Sequence, residues 1–220
     1  MMNAMLFLAR TGCQWRYLPE RCGEWGAVWQ QWRRWRANGV WERAMTRLAQ
    51  EVRRNHNRQA TPLMIMIDAQ TVRGGRAGPT FHNSGGRGGR TIGTKRTILV
   101  EILGLPIATR VDPAKPHDVR VGRELLREHL DDFPRLQAIV ADRGYRGLAN
   151  LAARKSLRLD IKAKPPGTTG FTPIGPLWRV EHAFAQLGRW RRLARCYEGS
   201  EASAKASLEV ASMGYLLGRM

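Results

Sequence analysis

The order of strand and helix signals along the 220 residues predicts an α/β chain with one mixed sheet flanked by helices, preceded by a small helical region. Three observations predict it. Two near-continuous apolar runs, "TPLMIMIDAQTV" (61–72) and "LQAIVAD" (136–142), have the pattern of strands covered on both faces. The stretch "TILVEILGLPIATRV" (97–111) reads as two strands around a tight turn at Gly104-Leu105-Pro106, a hairpin that must be antiparallel. Helical segments separate the later strands, and such crossovers make parallel neighbours.

Each element follows in order. "MMNAMLFLA" (1–9) is an apolar helix that begins abruptly, without the basic start or cleavage site of a secretory signal. Residues 24–52 read as two helices broken at Asn38-Gly39. Trp25, Val28, Trp32 and Trp35 recur there at helical spacing and form a packed stripe. Arg33, Arg34 and Arg36 occupy other faces, where they can meet phosphate. The run 61–72 is a central strand. "GGRAGPTFHNSGGRGGRTIGTKR" (74–96) carries eight glycines and five basic residues, cannot build a core, and reads as a mobile basic loop. It has neither P-loop nor dinucleotide spacing. After the hairpin come a helix over 115–130 with Asp118 as N-cap, the strand 136–142, a short helix over 147–156 and a strand over 157–164. A loop over 165–176 leads to helices over 176–198 and 201–218. The chain divides into a helical DNA-binding region, 1–58, and an α/β domain, 61–220.

Charge names the partner class. Lys and Arg number 37 against 18 acids, a net +19, which favours a polyanion because each neutralised phosphate releases a counterion. Nucleic acid is the first expectation. The excess lies at the ends: residues 1–60 hold eleven basic and four acidic residues, whereas 111–160 are nearly balanced at ten and eight. Cys13, Cys22 and Cys196 are odd in number and lack metal-ligand spacing, which suits a reducing cytosol rather than a disulfide framework. No stretch approaches the roughly 18–20 apolar residues of a membrane span.

Asp68 and Asp142 end the two apolar runs, and ligands of open α/β sheets gather at the carboxyl ends of strands. Two acids gathered there repel each other unless a cation sits between them, and magnesium or manganese is the hard, oxygen-seeking choice. A third acid comes from the helix after residue 176. Leu177, Val180, Phe184 and Leu187 form its apolar stripe, and Glu181 borders that stripe about 100° around the axis. Each acid also has a plainer reading, Asp68 and Asp142 as turn residues and Glu181 as the partner of a base such as Arg189.

"GCQWRYLPE" and "WRRWRANGVWERA" resemble the N-terminal region of transposases in the insertion-sequence-five group, within the IS4-like superfamily. "MIDAQTVR", "RTILVEILGLPIATRVDPAKPHD", "ADRGYRG" and "WRVEHAFAQLGRWRRLARCYE" resemble, in order, the catalytic blocks of that group. The resemblance covers about residues 4 to 218 and implies a ribonuclease-H-like DDE transposase with two Mg2+ or Mn2+ ions. It places the triad on Asp68, Asp142 and Glu181, with Asp68 bridging both ions and the other two acids holding one each. It implies double-stranded DNA as substrate, both the terminal inverted repeats and the target, a homodimer when two ends are joined, and work in a bacterial cytoplasm at the nucleoid. The arginines expected to track DNA are Arg33, Arg34, Arg36, Arg143, Arg179, Arg189, Arg191, Arg192 and Arg195. His182 stands where relatives usually carry arginine, and Tyr145 and Trp178 lie near the acids, where packing is the simpler role. The group generally has some forty more residues ahead of "GCQWR", so a split or decayed element, or a DNA-binding remnant without catalysis, is an alternative expectation. A hydrolytic nuclease that cuts without joining is another.

Overall fold

The computed structural model describes residues 1–75, the backbone of 82–83, 91–163 and 175–220. Three helices come first: α1 (Met2–Thr11), α2 (Trp25–Ala37) and α3 (Val40–Asn55). They are followed by β1 (Met64–Arg73), the two-residue β2 (His82–Asn83), β3 (Ile92–Glu101), β4 (Pro106–Pro113), α4 (Asp118–His129), β5 (Ala138–Ala141), α5 (Ala149–Arg154), β6 (Arg158–Ile161), α6 (Trp178–Gly188) and α7 (Glu201–Leu217). The helix break at Asn38-Gly39 has a physical basis, since Gly39 adopts φ +61°, a left-handed conformation that a β-carbon disfavours. The hairpin turn likewise carries Gly104 at φ +81°.

β1 is the axis of one six-stranded mixed sheet. It pairs antiparallel with β3 along its whole length, from Ile65 opposite Glu101 to Arg73 opposite Gly93. On its other edge it runs parallel to β5, and β5 runs parallel to β6. β4 and the short β2 pair antiparallel with the far side of β3. The order β4-β3-β1-β5-β6 agrees with a ribonuclease-H-like sheet. The apolar runs behave as buried strands: Ile65, Met66, Ile67, Ile139 and Val140 are fully buried.

Four expectations are corrected. Thr94, Lys95 and Arg96 are buried strand residues rather than loop, because β1 continues past Asp68 and extends the ladder with β3. Lys95 is held by Asp118 at 2.5 Å, and Arg96 donates to the Leu193 carbonyl at 2.7 Å. Of the glycine-rich segment, residues 76–81 and 84–90 lie outside the described residues, as does most of the loop over 165–176. Asp118 is the first residue of α4 and caps nothing; His117 occupies the N-cap position. The helix expected over 176–198 stops at Gly188, and Arg191–Leu193 form a separate 3-10 turn. There Trp190 turns inward onto Gly214 of α7, where a β-carbon would stand 2.0 Å from the indole. Trp25 leaves the tryptophan stripe and stays partly exposed under the Arg16 guanidinium, whereas Val28 and Trp32 are buried and Trp35 meets Trp41 edge-on at 5.0 Å.

The N-terminal helices share the core of the sheet. Leu8, Trp32, Trp41, Met45 and Val52 belong to one apolar cluster with Ile98, Leu208 and Leu216. A buried ion pair joins the two regions: Arg53 of α3 meets Glu101 at the end of β3, and Arg53 Nε donates to the Gln59 carbonyl at 2.7 Å. Glu101 Oε1 also accepts from the Leu103 amide at 2.7 Å, which ties the pair to the hairpin turn. Burial raises the Glu101 carboxyl above its ordinary range despite the guanidinium. Removing one partner of such a pair strands a buried charge. Arg53→Met should therefore cost about 3–5 kcal/mol in equilibrium denaturation, and a loss within experimental error would show that the pair does not join the regions.

Candidate active site

The parallel register of β1 and β5 sets the first two acids side by side. Met66 pairs with Val140 as the last pair of that ladder, and Asp68 and Asp142 each follow two residues beyond it. Asp68 is not at the end of its strand, as the sequence suggested, because β1 runs on to Arg73 against β3. It is where the parallel partner stops. β5 ends at Ala141, and Asp142 starts a 3-10 turn in which its Oδ1 accepts from the Gly144 amide at 2.8 Å. Asp142 is exposed there.

Glu181 arrives from above. Leu177, Val180, Phe184 and Leu187 are buried as the apolar stripe of α6, which packs on β1 and β3, and Glu181 projects exposed from the first turn. The Arg179 guanidinium donates to the Ile102 carbonyl of the hairpin turn and lies 4.7 Å from the Trp178 ring centroid, pinning the start of the helix. Trp178 and His182 meet edge-on at 6.0 Å, both exposed beside Glu181.

The acids act on one another. The Asp68 carboxyl is pushed up to about 7, first by burial, against the pull of a 2.8 Å hydrogen bond from the Ala69 amide. Asp142, Asp118 and Glu181 add their charges in the same direction. Thus Asp68 feels both sequence-predicted partners, together with a fourth acid, Asp118, which the sequence suggested only as a helix cap. Lys95 Nζ holds that acid and also donates to the Pro116 carbonyl. The phenol of Tyr145, 1% exposed, lies under the same charges and has no hydrogen-bond partner among the described residues. A β-carbon on Gly122 of α4 would stand 2.7 Å from the Tyr145 ring and 2.9 Å from Ile67, so the helix presses both against the acid-bearing strand.

Among the described residues no three His, Cys, Asp or Glu side chains stand as a closed ligand set. Asp142 is turned to its own backbone and Asp118 to Lys95, as expected of carboxylates that repel one another. The donor chemistry nevertheless suits a hard divalent cation: oxygen ligands only, with two of them, Asp142 and Glu181, exposed at the surface.

The nine arginines fall into two classes. Arg33, Arg34, Arg143, Arg189, Arg191 and Arg195 are exposed. Arg36 is engaged with Ser203, Arg179 with Ile102, and Arg192 with Glu198 at 2.8 Å and the Cys13 carbonyl at 3.2 Å. These three fasten elements together. No helix among the described residues is long and apolar enough to cross a membrane.

Comparison with known proteins adds two family matches. Residues 1–45 match a transposase family of the IS4/5 type, and residues 59–171 match the transposase DDE domain. The second match spans Asp68 and Asp142 and ends before Glu181. The chain is also similar to the uncharacterized protein y4sN of Sinorhizobium fredii, 38% identical over 72 residues, which are 33% of this chain and 51% of that protein. The chain thus spans about half the length of that curated relative.

The crowding of Asp68 has a measurable signature. Folding raises its pKa from 3.8 to about 7, so its protonated form stabilises the fold below about pH 4 and that contribution is lost as pH rises through 7. In metal-free buffer Asp68→Asn should unfold at the parent's midpoint near pH 4 and above it at pH 8, by a few kcal/mol. Glu209, also raised to about 7 by burial, titrates alike in both proteins and cancels. A pH profile that is the same for both would show that neither burial nor the neighbouring acids raise the Asp68 carboxyl.

Proposed function

Because the chain belongs to the family of transposases with a DDE domain, we propose that it binds the ends of a bacterial insertion sequence and cuts and joins DNA there. What supports the reading is that Asp68 and Asp142 each follow two residues beyond the last pair of the parallel β1–β5 ladder, and that Glu181, from α6, adds its charge to the surroundings of Asp68. Asp68, Asp142 and Glu181 are the catalytic acids of this proposal, and Asp68 is the shared centre.

A phosphodiester resists attack because nucleophile and leaving oxygen both meet negative charge. Bound divalent cations, magnesium or manganese and two in number, would stabilise both oxygens of an in-line displacement. The chain's own residues hold and frame that site. Asp68 supplies a half-buried carboxylate that a cation would recharge, while the exposed Asp142 and Glu181 can swing onto it from the strand end and the helix. Lys95 keeps Asp118 oriented beside the cluster and offsets its charge. Trp178 and His182 form an exposed wall next to Glu181 on which a frayed base end can rest. Water opens the phosphodiester at the element end and leaves a 3′-hydroxyl, which then attacks target DNA at the same acids. No covalent enzyme intermediate is required. Joining two ends calls for a homodimer acting at the nucleoid.

Labelled terminal DNA, target DNA and manganese test this. Asp142→Asn should lower strand cleavage by about a hundredfold or more, since the stabilisation it removes is worth several kcal/mol. DNA affinity should hold or rise, because one negative charge leaves the phosphate's path. Cleavage unchanged in that variant would remove Asp142 from the site. Binding by the parent without nicking would make the protein a DNA-binding remnant, and nicking without joined product a nuclease.

A further inference from the structure

Beyond the acids, α6 leads into a groove of about 340 Å³ between α1, α6 and α7. Arg10, Arg189 and Arg219, one from each helix or its end, line it. No carboxylate side chain lines the groove, and none of the three forms an ion pair among the described residues. Three guanidiniums gathered without a counter-charge repel one another, and an anion relieves that cost.

The groove is shaped by packing. Trp190 turns onto Gly214, whose missing β-carbon lets the indole lie against α7, and the Arg10 guanidinium sits 5.3 Å from the Trp190 ring centroid. Along α6, Arg189 Nη1 donates to Gln186 Oε1 at 3.2 Å, and Gln186 Nε2 meets His182 Nε2 at 3.3 Å. This polar ladder starts one residue after Glu181 and lines the groove along its length. Eight residues of helix rise about 12 Å, a span of a few phosphates along one DNA strand.

We propose that this groove is a phosphodiester subsite for the DNA strand that runs away from the cleavage point. The assignment rests on the transposase reading for its ligand. Arginine forks recognise phosphate oxygens in pairs, the groove is open rather than enclosed, and its ladder begins at the residue following the catalytic glutamate. Arg189 was expected to contact DNA, but Arg10 and Arg219 were not. They stand near opposite ends of the chain and become neighbours only through the packing of α1 and α7 around Trp190.

The test measures binding of fluorescein-labelled random-sequence duplex DNA to the full chain across a salt series. The variant Arg10→Gln/Arg189→Gln/Arg219→Gln should bind more weakly and lower the slope of log affinity against log salt by about two to three. A control with equal charge change on exposed residues elsewhere, Arg127→Gln/Arg135→Gln/Arg154→Gln, should lower it by less than about one. If losing the Arg10 stack unfolds the first variant, Arg189→Gln/Arg219→Gln keeps that stack and should lower the slope by one or more. Slopes equal to the parent's, or no lower than the control's, overturn the subsite. Stabilisation of the parent by inorganic phosphate, with duplex binding unchanged in the variants, would assign the groove to a free anion and also overturn it. Metal-dependent cleavage is scored separately: a parent that binds DNA without cutting would defeat the catalytic reading while the salt slopes still decide the groove.

Discussion

Four carboxylates gathered around one half-buried strand position oppose folding unless something offsets them, and the arrangement of this molecule follows from that constraint. Asp68 is the half-buried member, and its neighbours are those that its charge reports: Asp142, Asp118 and Glu181. Each of the others has a local arrangement that limits repulsion. Asp142 caps its own turn, Asp118 takes Lys95, and Glu181 stays in solvent. The acid cluster therefore concentrates negative charge that a divalent ion would offset. Asp68 cannot withdraw, because its strand is paired on both edges up to that point.

The rest of the molecule keeps that strand in place. β3 pairs with β1 over its whole length, and Arg96 on β3 fastens the segment after α6 by donating to Leu193. The Arg53–Glu101 pair ties α3 to the hairpin turn, and Arg179 grips the same turn from α6. Several of the arginines that make the chain so basic are thus structural fasteners. The remaining exposed ones, with the groove around Trp190, are what is left to meet DNA. Net charge points to a polyanion as a class without naming individual contacts, because a guanidinium serves a carbonyl and a phosphate equally well.

Much of this was legible in the residues. Unbroken apolar runs marked β1 and β5 as buried, and their terminal acids pointed to Asp68 and Asp142. The spacing of Leu177, Val180, Phe184 and Leu187 located the face of α6 and so the position of Glu181. Lys95 was missed because it follows a glycine-rich run, and composition there outweighed the strand pattern of the residues after it. Asp118 read as a cap because an acid at a helix start is common; only the fold brings that helix start to β1. The break at Gly188 was hidden by continuing helical spacing, since the cause, an indole seated on Gly214, lies far along the chain. Such long-range contacts leave no local trace.

On this reading the acids share a cation. Manganese binding to the metal-free protein, followed by electron paramagnetic resonance, tests it most directly. Uptake by the parent that is lost in Asp68→Ala is the predicted result. Equal uptake by the two proteins, or none by the parent, would contradict it.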